Sequence, residues 1–179
     1  MINDYEATTP ITTDAYVPTI DLKDSAISTL NGLIAISKDG EAGFREAAEN
    51  VERADLKNLF IELSTQRSTF VTKLQELVTG LGGNPTDSGN LSATLHRAWI
   101  DVKGAFTGKD DGAALSECER GEDSAKTAYR EALQEDLPDF VRSTVQDQYN
   151  AVLTSHDRVK ALRDVAIPQK SNTARPGVL

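Results

Sequence analysis

The stretch that decides the fold covers residues 55–83 and reads DLKNLFIELSTQRSTFVTKLQELVTGLGG. Its apolar side chains recur at intervals of three and four residues, which places them on one face of an α-helix. The residues on that face are Leu56, Phe60, Leu63, Arg67, Phe70, Leu74, Leu77 and Leu81. Gly80, Gly82 and Gly83 predict the end of the helix, because glycine readily adopts the left-handed conformation that follows a helix C-terminus. The stretch therefore predicts an amphipathic helix with one charged residue, Arg67, on its buried face.

The same periodicity extends through most of the chain. A long helix is predicted from Asp21 to about residue 51, since its apolar face keeps its phase across two glycines that each cost a helix about 1 kcal/mol relative to alanine. Two more long helices carry apolar faces from Leu115 to Ala132 and from Val141 to Leu162, and a short one carries Leu91 to Phe106. The sequence therefore predicts an all-α, antiparallel four-helix bundle with a short fifth connecting helix.

Composition and charge exclude several classes of protein. The 179 residues include 28 acidic and 19 basic side chains, a formal net charge of −9, whereas nucleic-acid-binding proteins show a basic surface. The single cysteine rules out an internal disulfide framework. Apolar runs are short, and the acidic N-terminus lacks the basic and apolar regions of a signal peptide. We therefore expect a cytoplasmic protein with no nucleic-acid partner and no membrane association.

Both ends of the chain differ from the predicted bundle, which covers residues 21–165. Residues 1–20 contain five threonines and two prolines without helical periodicity, and predict an extended N-terminal arm; residues 166–179 predict a C-terminal tail. Helices have already paired their own backbone groups, so the arm must dock through side chains. Its available anchors are Ile2, Tyr5, Ile11, Tyr16, Val17 and Ile20. We expect this arm to bind a neighbouring copy and to form a homo-oligomer.

Polar residues interrupt the buried faces of the helices and predict a polar layer across the middle of the bundle. Its members are Glu41, Arg67, Glu122, Gln148 and His156. If antiparallel helix pairs are connected near residues 52 and 137, Ser37 lies at the same level as Arg67, and Val152 lies at the same level as Glu122. One interpretation is an internal ion pair between Glu41 and Arg67, since unpaired buried charges are expensive. The alternatives are a partly solvated cleft and a metal site.

The metal interpretation uses four residues that offer carboxylate or imidazole ligands: Glu41, Glu119, Glu122 and His156. A di-iron or di-manganese bundle takes a Glu from each of two helices and a Glu-x-x-His motif from each of the other two. The sequence contains no Glu-x-x-His, because Ala93 and Leu153 stand three residues before its two histidines. Arg67 stays protonated and supplies positive charge without ligating a metal. We therefore expect no cofactor, with iron or manganese as the alternative.

Several stretches distributed along the helices resemble a known family. They are Leu30-Asn31-Gly32-Leu33-Ile34, residues 39–49, Gln66-Arg67 with Phe70, Leu95-His96-Arg97-Ala98-Trp99, residues 118–123, Asp136-Leu137-Pro138, and His156-Asp157-Arg158 with Leu162-Arg163-Asp164. Together they resemble a bacterial family of ferritin-like four-helix-bundle proteins of unknown function. The resemblance covers residues 22–165 and implies a ferritin-like fold, the bacterial cytoplasm and a link to stress. It implies no particular reaction.

Two functional hypotheses follow. The first is a non-enzymatic, stress-linked helical bundle that acts through self-assembly or partner binding. The second is a metal-binding ferritin-like oxidase or metal-storage protein with a degenerate carboxylate site. The two hypotheses differ in whether charged side chains in the bundle neutralise one another or bind a metal ion.

Overall fold

The computed structural model describes residues 19–87 and 110–166, which form four helices. In chain order these are α1 (Thr19–Asn50), α2 (Ala54–Gly80), α3 (Asp111–Ala132) and α4 (Asp139–Ala166). The four predicted long helices are confirmed. The predicted fifth helix, the C-terminal tail beyond Ala166 and all but the last two residues of the predicted N-terminal arm lie outside the described residues.

Helix α1 begins at Thr19, two residues before the predicted end of the arm. Ile20, predicted as an arm anchor, therefore belongs to the helical backbone. The helix continues without a break through Gly40 and Gly43, as predicted from the phase of its apolar face. A Cβ atom at Gly40 would lie 3.4 Å from Cγ of Arg67. Gly40 of α1 therefore faces the long side chain of Arg67 on α2.

Local sequence accounts for the helix ends on either side of the long connection between α2 and α3. Gly82, just after α2, has a φ of 75°, a left-handed conformation that glycine adopts without steric strain. The amide of Gly83 then donates to the carbonyl of Val78 at 2.9 Å and closes the last turn. At the start of α3, the Asp110 carboxylate accepts from the amide of Gly112 at 2.9 Å, which caps the helix.

The helices form an antiparallel bundle in which α1 packs on α2 and α3, while α4 packs on α3 and more loosely on α2. Both α2 and α3 run opposite to α4. The contacts that establish this are Gln148 with Phe70 and Tyr129, and Ser155 with Arg67 and Glu122. Helices α2 and α3 are therefore diagonal and run in the same direction. The C-terminal end of α2 and the N-terminal end of α3 therefore lie at opposite ends of the bundle, about 40 Å apart given the 27 residues of α2.

The buried apolar residues fall into two clusters, one on each side of the middle of the bundle. The first is built around Leu30, Ile34, Phe70, Leu74, Val78, Tyr129, Val141, Val145 and Val152. The second is built around Phe44, Leu56, Phe60, Leu63, Leu115, Cys118 and Val159. Buried polar side chains lie between the two clusters. Among the helices that the structure describes, none has the length and apolar character needed to cross a membrane.

Candidate functional site

The centre of the bundle holds an ion pair between Arg67 of α2 and Glu122 of α3. Nη2 of Arg67 donates to Oε1 of Glu122 at 2.6 Å and to Oε2 at 2.8 Å. Both side chains are 1% exposed, so solvent screens the interaction very little. Because α2 and α3 are diagonal, this central pair spans the interior of the bundle.

Ser155 of α4 completes the central pair. Its Oγ accepts from Nη2 of Arg67 at 2.8 Å. Its hydroxyl hydrogen has two acceptors within reach, Oε2 of Glu122 and the carbonyl of Val152 at 3.0 Å. Three helices thus contribute to one buried network, in which each charged group has hydrogen bonds that offset its loss of water.

Aromatic rings enclose the arginine. The guanidinium carbon of Arg67 lies 5.1 Å from the ring centroid of Phe70 and 5.9 Å from that of Phe44. Both distances are within the range of cation–π attraction. Nη1 donates to Oε1 of Gln66 at 3.2 Å, while within the described residues Nε is buried without an acceptor. The guanidinium is therefore held in place by two rings and by one direct carboxylate.

The predicted ion pair between Glu41 and Arg67 is wrong. The carboxylate of Glu41 pairs with Arg45, one turn along α1, and is partly exposed. The predicted register is displaced by about one turn, since Arg67 faces Gly40 and Glu122 contacts Ser155. Helical side chains lean toward the N-terminus of their own helix, so in an antiparallel hairpin a residue of the second helix contacts a residue of the first helix that lies nearer the turn.

A second buried network lies beside the central pair. The Tyr129 hydroxyl donates to Oε1 of Gln148 at 2.7 Å and lies 3.1 Å from Oγ of Ser37. Nε2 of Gln148 in turn donates to the carbonyl of Phe70 at 3.4 Å. Burial raises the pKa of Tyr129 to about 12, because the phenolate would lose its hydration. Tyr129 is therefore a neutral hydrogen-bonding group at physiological pH.

A third group of polar side chains lies between α3 and α4. Glu119, Asp123 and His156, hereafter the α3–α4 cluster, each place one potential ligand atom within 4.8 Å of the others. Glu119 and His156 are 7% and 6% exposed, whereas Asp123 reaches the surface. Nε2 of His156 lies 3.1 Å from Oδ1 of Asp123. This is a mixed carboxylate and imidazole set at the edge of the core.

Two basic side chains border the α3–α4 cluster. Lys126 Nζ lies 2.8 Å from Oδ1 of Asp123 and 3.1 Å from Nε2 of His156, and Arg163 pairs with Glu119. Burial alone would raise the pKa of Asp123, but the hydrogen bond and charge of Lys126, with a contribution from His156, outweigh burial and lower it. Asp123 is therefore an anionic group with a cation beside it.

The residues at the bundle centre do not fit a di-iron or di-manganese carboxylate site. Such a site needs four glutamates and two histidines from four helices. Here the central position on α2 is Arg67, preceded three residues earlier by Ser64, and the position on α4 is Ser155, preceded by Val152. Among these central residues only Glu122 has a metal-ligating side chain, and the arginine occupies both of its oxygens.

The four residues predicted as metal ligands do not form one site. Glu119 and His156 come together in the α3–α4 cluster, whereas Glu122 belongs to the central pair and Glu41 pairs with Arg45. Of the five residues predicted for the polar layer, all except Glu41 are buried. Glu41 follows Gly40 by one residue, which turns its side chain about 100° away from the face that meets Arg67.

Sequence reasoning missed several residues of these networks as site residues, among them Ser155, Asp123 and Lys126. Ser155 is a polar residue on the predicted buried face of its helix, and this position could have identified it as a site residue. Asp123 lies four residues after Glu119, a spacing that places both carboxylates on one helix face. Lys126 follows Asp123 by three residues, which also brings the two side chains together. The spacing along each helix follows from the sequence. These residues could be assigned to a site only once the packing of α3 against α4 was known.

An antiparallel four-helix bundle with one long crossover belongs to the ferritin-like class of folds. In agreement, the chain superposes with a TM-score of 0.66 and 18% identity on a two-domain protein from Anabaena variabilis that contains DJ-1/ThiJ/PfpI-like and ferritin-like domains. The similarity covers 83% of this chain and 41% of that protein, and it confirms the ferritin-like fold of the four-helix bundle. Residues 25–135 match the family described as Domain of unknown function (DUF2383), and the chain belongs to that family. A search of curated proteins finds no match.

Proposed function

We propose that this protein is a non-enzymatic helical bundle that acts through self-assembly or partner binding. The observation that carries this proposal is the central pair, in which Arg67 binds both oxygens of Glu122. As the resemblance implies, the proposal places the protein in the bacterial cytoplasm with a role in stress.

The central pair supports this proposal through its charge. In a metal-containing bundle, cations neutralise the facing carboxylates, whereas here a guanidinium that remains protonated at every physiological pH does so. A guanidinium has no lone pair to offer a metal. The buried charge of Glu122 is therefore satisfied by the protein itself, and the interaction joins diagonal helices.

The proposed mode of action rests on the N-terminal arm. Its predicted anchors other than Ile20 lie outside the described residues, so the arm stays a prediction from the sequence. In the part of the chain that the structure describes, the most exposed large apolar residues are Ile61, Phe140 and Val165, at 49%, 58% and 80%. Phe140 and Val165 lie near opposite ends of α4, so they do not form one apolar surface.

Deletion of residues 1–18 tests the assembly role, because it removes the arm and leaves α1 intact. The mass of the full chain and of the deletion variant would be measured by light scattering after gel filtration. We expect an oligomer for the full chain and a smaller, folded species for the variant. Equal assembly sizes would overturn the role of the arm.

Iron oxidation tests the non-enzymatic part of the proposal. Oxygen uptake would be followed after Fe²⁺ is added to the full chain and to the Glu122→Gln variant. We expect both rates to equal that of buffer containing Fe²⁺ alone. A catalysed rate in the full chain that is lost in the variant would support the alternative function, a metal-dependent ferritin-like oxidase.

The alternative of a metal-binding or metal-storage protein is favoured by a different observation, the α3–α4 cluster. That cluster lies outside the central pair and retains a histidine and two carboxylates. Metal binding at that cluster would not involve the residues of the central pair.

A further inference from the structure

We propose that the α3–α4 cluster binds one divalent transition-metal ion of the Zn²⁺ type, with Glu119, Asp123 and His156 as ligands. One ligand atom from each residue already lies within 4.8 Å of the other two. The site lies apart from the central pair and does not depend on the proposed assembly function. A bound ion would link α3 to α4.

The backbone positions the three ligands. Glu119 and Asp123 are four residues apart on α3 and therefore project from the same face. His156 approaches from α4, which runs antiparallel to α3. Three protein ligands with a fourth position left for water are typical of an open zinc site.

A neighbouring carboxylate orients the histidine. Oδ1 of Asp157 lies 3.0 Å from Nδ1 of His156, on the opposite side of the ring from Asp123. An Nδ1–H that donates to this carboxylate leaves the lone pair on Nε2, directed toward the cluster. This carboxylate–histidine arrangement is the one that commonly supports a metal-bound imidazole in proteins.

Glu119 has coordinating capacity beyond its ion pair. Its Oε2 is buried and pairs with Arg163. A carboxylate offers about four lone-pair sites on its two oxygens, so one arginine does not occupy all of them. One carboxylate oxygen of Glu119 lies within 4.8 Å of ligand atoms of Asp123 and His156, where a metal ion would bind.

Lys126 shows that the cluster attracts positive charge. Its ammonium nitrogen lies 2.8 Å from Oδ1 of Asp123 and 3.1 Å from Nε2 of His156, between two of the proposed ligands. A metal ion and this ammonium therefore compete for the same oxygen and nitrogen atoms. Because the lysine side chain is flexible, its ammonium can leave the cluster while the three ligands remain in place.

The ligand set indicates the class of ion. Imidazole nitrogen suits zinc and neighbouring transition metals, whereas Mg²⁺ and Ca²⁺ prefer sites made of oxygen atoms. One imidazole with two carboxylates matches the ligand types that Zn²⁺ accepts. We therefore expect Zn²⁺ to bind and Mg²⁺ at the same concentration to leave the site empty.

The test is calorimetric titration of the full chain with Zn²⁺, in parallel with variants of both histidines. We expect one Zn²⁺ per chain, with affinity reduced at least tenfold in Asp123→Asn and in His156→Gln, and unchanged in His96→Gln. Lys126→Met should bind at least threefold more tightly, because it removes the competing ammonium. Asp123→Asn keeps the test valid if the buried histidine variant fails to fold, since Asp123 is largely exposed.

Cobalt provides an independent readout of the same ligands. Co²⁺ bound in place of Zn²⁺ should give visible absorption bands typical of low coordination number, and these bands should vanish in Asp123→Asn. The proposal is overturned if the full chain and Lys126→Met both fail to bind Zn²⁺. It is equally overturned if His96→Gln abolishes binding while Asp123→Asn and His156→Gln retain it.

Discussion

Arg67 and Glu122 are 55 residues apart in the chain, and Nη2 of the arginine lies 2.6 Å from Oε1 of the glutamate in the middle of the bundle. The pair joins diagonal helices, whose backbones do not pack directly on one another. Removal of either charge would leave the other buried without its counter-ion. The central pair therefore makes the stability of the bundle depend on two individual residues.

Replacement of Arg67 by methionine should lower the free energy of unfolding by about 3–5 kcal/mol, because Glu122 is left buried without a counter-ion. Urea unfolding followed by circular dichroism measures this change. Arg45→Met is the matched control, since Arg45 also pairs with a glutamate but is 60% exposed. The control should change the free energy by less than about 1 kcal/mol.

The double variant Arg67→Met with Glu122→Leu tests whether the loss of stability comes from the unpaired carboxylate or from other changes in the core. Because both charges are removed, we expect it to recover at least half of the stability lost in Arg67→Met. A double variant that is less stable than Arg67→Met would contradict the view that an unpaired buried carboxylate causes the loss.

Tyr129 should make the bundle sensitive to alkaline pH. Its pKa is raised to about 12 in the folded state from a usual value of 10.0, so the folded state retains a proton that the unfolded state loses. The stabilisation is therefore complete below pH 10.0 and is lost as pH rises through about 12. At pH 11 this one group should reduce the free energy of unfolding by about 1.4 kcal/mol.

Tyr129→Phe distinguishes this effect from the titration of other groups. The variant should be less stable at neutral pH by about 1–3 kcal/mol, because Gln148 loses a hydrogen-bond donor. In urea unfolding experiments, the difference in free energy of unfolding between the unmodified protein and the variant should decrease by about 1.4 kcal/mol from pH 9 to pH 11. Parallel stability curves over that range would mean that Tyr129 titrates at its usual pKa.

Two glycines of α1 should both tolerate alanine. At Gly32 an added Cβ meets no atom within 4 Å, so Gly32→Ala should stabilise the protein by about 1 kcal/mol through helix propensity. At Gly40 an added Cβ would lie 3.4 Å from Cγ and 3.5 Å from Cδ of Arg67, which are ordinary van der Waals contacts. Gly40→Ala should therefore also raise the melting temperature, and a fall would show that the packing around Arg67 cannot accept the added methyl group.

The fold could be predicted to a large extent because helical periodicity is a local property. Apolar residues three and four apart predicted α2 from one stretch of sequence, and Gly82 marked its end through a conformation that glycine favours. Asp136-Leu137-Pro138 lies between α3 and α4, where a proline suits the start of the next helix. Each of these signals depends only on residues within one or two turns.

The partners of the buried polar residues could not be predicted in the same way. The sequence placed Arg67 on a buried face but paired it with Glu41, whereas its partner is Glu122 on the diagonal helix. The choice depends on the lean of side chains and on which helices are diagonal, and neither is encoded in the spacing along one helix.

The sequence by itself thus determined four helices, their buried faces and the need for a counter-ion to Arg67, because these follow from local periodicity and from the cost of a buried charge. Only the tertiary structure decided that Glu122 supplies that counter-ion, and that Glu119 and Asp123 meet His156. These contacts join residues more than 30 positions apart, and they form only when helix packing sets the register between α2, α3 and α4.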